Sequence, residues 1–248
     1  MLSSIQAPAN LYSAPPAGLA VAFALITLLA VLWFWVAARR SNPKQARVLL
    51  VGLLLWMAAQ GFFASLGLYQ DLAARPPRLL LLAILPALLA IVAAFTTARG
   101  RRFINGLPLS TLTYLNVVRI PVELVLYGLF LAKEVPELMT FMGRNPDILV
   151  GLTAPLLGLW GFTRPRLPRE VVLLWHVLAL LLLLNIVFWA VVASPVPFQQ
   201  VAFANPNVAV LKFPFVWLPA VVVPIVLFGH LVVLRQLSKA PVPASLAT

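Results

Sequence analysis

Val171-Val172-Leu173-Leu174-Trp175-His176-Val177-Leu178-Ala179-Leu180-Leu181-Leu182-Leu183-Leu184-Asn185-Ile186-Val187-Phe188-Trp189-Ala190-Val191-Val192 decides the fold, because these 22 residues hold no Lys, Arg, Asp or Glu. As a helix rising about 1.5 Å per residue the stretch is about 33 Å long. That matches a bilayer hydrocarbon core of about 30 Å. Six further apolar stretches flank it along the chain: Gly18 to Ala38, Val48 to Leu68, Leu79 to Thr97, Leu109 to Leu131, Ile148 to Phe162 and Phe215 to Leu234. The reading is therefore an all-α polytopic membrane bundle, one transmembrane domain over residues 1–248 with seven transmembrane helices. Composition agrees. The 248 residues are 62% hydrophobic and only 10% charged, far from the roughly 25% charge of a soluble domain.

Charge placement predicts orientation. Arg39, Arg40, Lys44, Arg47, Arg99, Arg101, Arg102, Arg164, Arg166, Arg169, Arg235 and Lys239 fall on one side of a seven-helix chain. Arg75, Arg78, Lys133, Arg144 and Lys212 fall on the other, against Asp71, Glu134, Glu137 and Asp147. Basic residues concentrate in cytoplasmic loops, so the amino terminus is expected outside and the carboxyl terminus in the cytoplasm, across an inner or plasma membrane. The first 17 residues carry no Lys or Arg, so the first helix reads as an uncleaved span rather than a secretory signal. The net charge of +12 then becomes an orientation signal with attraction to anionic lipid. The lipid bilayer is the expected partner, and nucleic acid is not.

Absent cysteine rules out disulfides, iron–sulfur clusters and thiol nucleophiles. No glycine-rich phosphate loop or Gly-x-Ser-x-Gly elbow occurs. A retinal Schiff base is excluded as well, since Lys44, Lys133, Lys212 and Lys239 all lie in loops or termini.

What remains is a short set of intramembrane polar groups. Asn116, Arg119, Glu123 and Tyr127 are spaced three, four and four apart, so a regular helix places them on one face and lets Arg119 pair with Glu123. A charge at mid-bilayer costs a few kcal/mol or more, so this face is expected toward protein or water. His176 and His230 fall at comparable depth near the cytoplasmic ends of the sixth and seventh stretches. All six residues converge if the fourth, sixth and seventh helices are neighbours.

Three functions compete for that group. A polar cavity for a small-molecule or ion ligand is preferred, with Arg119 attracting an anionic group and Glu123 exchanging a proton. An intramembrane enzyme or redox protein is the alternative, using His176 and His230 as axial haem ligands, or both with Glu123 around a divalent metal. A structural or assembly protein without ligand is the third. The stretch Glu134 to Asp147 reads as a solvated loop in preference to a polar cap, and Asn185 as an interhelical hydrogen-bonding residue. Trp33, Trp56 and Trp217 read as interfacial anchors, and Gln60 as a mid-span polar group. Five prolines inside the apolar stretches, Pro86, Pro121, Pro155, Pro219 and Pro224, each free a carbonyl one turn earlier that needs another donor.

Overall fold

The structure is a computed structural model that describes residues 8–239. Within it the chain is helical throughout, without strands. α1 spans Ala17–Ser41 and α2 Pro43–Ser65. A π-helical turn, Leu80–Ile84, leads into α3, Leu85–Thr96, and α4 follows at Ala98–Asn105. α5, Leu109–Tyr114, passes through a 3₁₀ turn at Leu115–Val118 into α6, Arg119–Leu131. α7 is Ile148–Gly158, extended by a π turn to Thr163, and α8 is Arg169–Val192. A last π turn, Leu218–Val222, opens α9, Val223–Lys239.

Five of these helical runs are long and apolar enough to cross a membrane: α1, α2, α5 through α6, α8 and the π turn with α9. A sixth is reached if α3 and α4, bent by 84°, count together, whereas Ile148–Thr163 is shorter. Five or six is thus the number that length and composition support, against the seven expected. The bend explains part of the difference. α4 carries Arg99, Arg101 and Arg102 on its exposed surface and turns away from α3 where polar residues begin. Outward faces show Leu29, Leu55, Phe62, Leu174, Leu181 and Phe188, all more than half exposed. A surface of that kind is matched by lipid.

Two proline-freed carbonyls have found donors within the bundle. Pro86 cannot donate to Leu82, and Gln60 Nε2 donates to the Leu82 carbonyl at 2.9 Å instead. Pro224 cannot donate to Ala220, and Trp56 Nε1 supplies that bond at 3.0 Å. Trp33 and Trp217 likewise donate to the Thr111 and Met57 carbonyls. These indoles tie helices together.

α7 packs closely because of its small residues. A Cβ on Gly151 would stand 2.7 Å from Ile120 Cγ1, and one on Gly158 would stand 2.6 Å from the Tyr114 ring. Ala154 between them is fully buried. Such a stripe of small residues lets backbones approach within the membrane, and it brings the start of α7 against α6.

Both ends of the bundle are tied. At the basic end Arg40 donates to Thr111 Oγ1 and Gln236 to the Ile104 carbonyl. At the opposite end the loops fold inward. Lys212 Nζ meets Glu134 Oε2 at 2.7 Å and the Asn10 carbonyl at 2.6 Å, while Val208 and Ala209 donate to the Glu134 carbonyl. Lys212 and Glu134 are both buried.

Candidate functional site

The site starts at the break between α5 and α6. Residues 115–118 wind as a 3₁₀ turn just before Pro121, so the helical face counted from Asn116 does not continue regularly to Tyr127. A 3₁₀ turn advances about 120° per residue against about 100° in an α-helix. Asn116 accordingly turns back on its own helix and donates to the Leu112 and Thr113 carbonyls. Tyr127 packs on Phe130 and Phe141, away from the charged group. Arg119 and Glu123 are buried at 3% and 2% exposure, and it is these two that enter the interior cluster.

Their expected direct pairing is replaced by two separate ones. Arg119 Nη1 meets Asp147 Oδ1 at 2.6 Å and donates to the Ala179 carbonyl of α8 at 3.2 Å. Glu123 Oε1 accepts from Asn145 Nδ2 at 2.5 Å, and the same amide donates to the Met139 carbonyl. Asn145 and Asp147 are therefore no solvated loop. They are 1% and 4% exposed, drawn inward by the close seat of α7 on α6. The polar-cap alternative describes this segment better. Asn185, expected to bond between helices, instead donates to the Arg144 carbonyl of the same loop and accepts from Trp189.

The histidines complete a chain. Arg119 Nη2 lies 3.1 Å from His230 Nε2, His230 Nδ1 lies 2.9 Å from His176 Nδ1, and His176 Nε2 lies 3.2 Å from Thr113 Oγ1. Thr113 Oγ1 also lies 2.9 Å from the Leu109 carbonyl, at the first residue of α5 near the basic end. Both imidazoles are fully buried.

Elementary donor counting fixes the direction of every link. A guanidinium has donors only, so His230 Nε2 accepts and bears no proton. His230 is then neutral with its proton on Nδ1, which it donates to His176. His176 Nδ1 accepts, so His176 is neutral with its proton on Nε2, directed at Thr113. Thr113 in turn donates to Leu109. Four side chains thus form one oriented hydrogen-bond chain whose polarity is set by Arg119. Each imidazole lone pair is occupied in this arrangement. A proton reaches His230 only when Arg119 releases Nε2.

A cavity of about 140 Å³ lies against the charged end of this chain. Arg119, Glu123 and Asp147 line it, together with Ser194 and Asn207 toward the far end of α8. The rest of its wall is apolar and comes mainly from α6, α8 and α9, including Val122, Leu183, Ile186 and Val226. Three buried polar atoms of its lining residues have no partner: Glu123 Oε2, Arg119 Nε and Asn207 Oδ1. A larger cleft of about 510 Å³ between α2, α3 and α9 has no ionisable side chain in its wall. The chemistry sits at the smaller one.

The same contacts bear on the metal and haem alternatives. Glu123 turns to Asn145, not to the imidazoles, and no group of three His, Asp or Glu among the described residues is placed to hold a metal ion. All four ring nitrogens of His176 and His230 already face Thr113, Arg119 or each other. Ligation would require breaking those bonds.

Five or six long apolar helices and a charged cluster sealed among them are the features of a multi-pass helical membrane protein. Compared with known protein families, curated proteins and solved structures, the chain shows no match.

Proposed function

We propose that this chain is a seven-span protein of an inner or plasma membrane, amino terminus outside, that binds a small molecule or ion and moves it through the intramembrane cavity. Glu123 exchanges a proton during that cycle, and His230, His176 and Thr113 connect the cavity with the cytoplasmic end. The observation that carries the reading is the junction of the two features at Arg119, which both lines the cavity and terminates the oriented histidine chain. A purely structural ion pair would need neither an adjoining cavity nor a run of exchangeable protons leading from it. Seven spans with the basic loops on one side are supported by the helices that occupy each of the seven apolar stretches. The fifth of these is short, and the sharp small-residue packing of α7 keeps it inside the bundle.

The test is proton movement in liposomes reconstituted with the purified protein and a lumenal pH dye. Under an imposed pH gradient the wild type is expected to carry protons faster than empty liposomes, and Glu123→Gln to abolish the difference. Equal fluxes for wild type, Glu123→Gln and empty liposomes would overturn the reading.

A further inference from the structure

The charges around the cavity do not balance. Arg119 is matched by Asp147 at 2.6 Å, and both histidines are neutral by the donor counting above. That leaves Glu123, held through one oxygen by Asn145 while the other, Oε2, has no partner. The groups facing it are Arg119 from its own helix, Asp147 and Asn145 from the loop before α7, and His230 of α9 through Arg119. α8 contributes the Ala179 carbonyl and apolar side chains, with no charge. An ionised Glu123 is therefore one negative charge in excess, and an uncompensated charge in this setting is costly.

We infer that the cavity takes a small lipophilic monocation, whose positive group pairs with Glu123 Oε2 and whose apolar body lies against Val122, Leu183, Ile186 and Val226, in exchange for a proton on Glu123. This identity of the ligand rests on the cavity-binding function proposed above. Three features select it. The charge of Arg119 is already matched by Asp147, and its terminal nitrogens bond to Asp147, Ala179 and His230, so an anionic ligand would find a guanidinium donor at Nε but no positive charge in excess. Two of the three unpartnered atoms, Glu123 Oε2 and Asn207 Oδ1, are acceptors, which suits a donor cation. The volume suits one ring, since an apolar cavity of about 150 Å³ accommodates benzene. Because proton and cation compete for one carboxylate, only one of them compensates it at a time.

The experiment is calorimetric titration of the purified full chain in detergent with three probes of one shape: benzylammonium, benzyl alcohol and benzoate. Benzylammonium is expected to bind saturably and to weaken as pH falls, while the other two do not bind. Glu123→Gln, checked for folding by its thermal transition, is expected to weaken benzylammonium by about tenfold or more. Val187→Trp, which fills the cavity wall without altering any charge, is expected to block it as well. Stronger binding of benzoate or benzyl alcohol than of benzylammonium would overturn the monocation while leaving the cavity-binding function in place. Benzylammonium binding that is unchanged in Glu123→Gln and Val187→Trp would also overturn it. Binding of none of the three would overturn the monocation, while the cavity-binding function stands or falls on the liposome fluxes.

Discussion

Arg119 and Asp147 are joined at 2.6 Å across the packed faces of α6 and α7, although 28 residues separate them in the chain. Both are buried, so neither charge is screened by water. Removing one partner leaves the other uncompensated, which costs about 3–5 kcal/mol for a buried pair. Arg119→Met and Asp147→Leu are each expected to lower the thermal transition markedly in detergent. The double variant is expected to recover a large part of the loss. Equal, additive losses would show that the two do not act as a pair.

Gln60 is predicted to matter because of a proline rather than because of a ligand. Its amide fills the carbonyl that Pro86 leaves open, and its Oε1 accepts from the Tyr69 hydroxyl at 2.5 Å. Gln60→Leu orphans both, at about 1–3 kcal/mol for each buried polar group. In a Pro86→Ala background residue 86 donates again, so the same substitution is expected to cost less. A thermal double-mutant cycle reads the difference.

Burial pushes the Tyr69 phenol up to about 12. Its folded pKa lies above the unfolded value near 10, so its contribution to stability is whole below pH 10 and is lost as pH rises through about 12. Ultraviolet titration near 295 nm is expected to show one of the four tyrosines ionising late, and Tyr69→Phe to remove that late step.

Close packing of α7 is predicted to hold the cluster in place. Gly158→Leu drives a side chain into the Tyr114 ring, and overpacking of this kind costs about 1–3 kcal/mol. The lost seat also moves Asp147 from Arg119. Gly18→Leu, where an added Cβ meets nothing within 4 Å, is the control and is expected to leave the thermal transition unchanged.

Hydropathy alone placed a helix in each of the seven apolar stretches, because unbroken apolar runs of this length leave little else to form, but it did not find the basic α4, Ala98–Asn105. It could not separate five or six spans from seven. The 84° bend at Thr97 and the 16 residues of Ile148–Thr163 are matters of packing and backbone direction, and a sliding count of apolar residues does not register them. Arg119, Glu123, His176 and His230 were legible as site candidates for the same reason that they are costly, being ionisable within spans. Asn145 and Asp147 were not, since a loop with Pro146 and Arg144 reads as solvated. A signal was present in α7 itself. Gly151, Ala154 and Gly158 mark a helix face that packs tightly, and the residue just before such a helix is carried inward with it. Arg119 and Glu123 keep their i, i+4 spacing inside α6, and Arg119 pairs with Asp147 instead because the loop before α7 brings that carboxylate inward, a long-range contact that helical spacing cannot anticipate.

The most direct test of the oriented chain uses the fact that the protein has two histidines. In ¹⁵N-histidine-labelled protein, NMR distinguishes protonated from bare ring nitrogens at each imidazole. At neutral pH we predict two neutral rings of opposite tautomer, His230 protonated at Nδ1 and His176 at Nε2, assigned by single His230→Phe and His176→Phe variants. Two rings of the same tautomer, or an imidazolium at either position, would contradict the chain that links the cavity to Thr113.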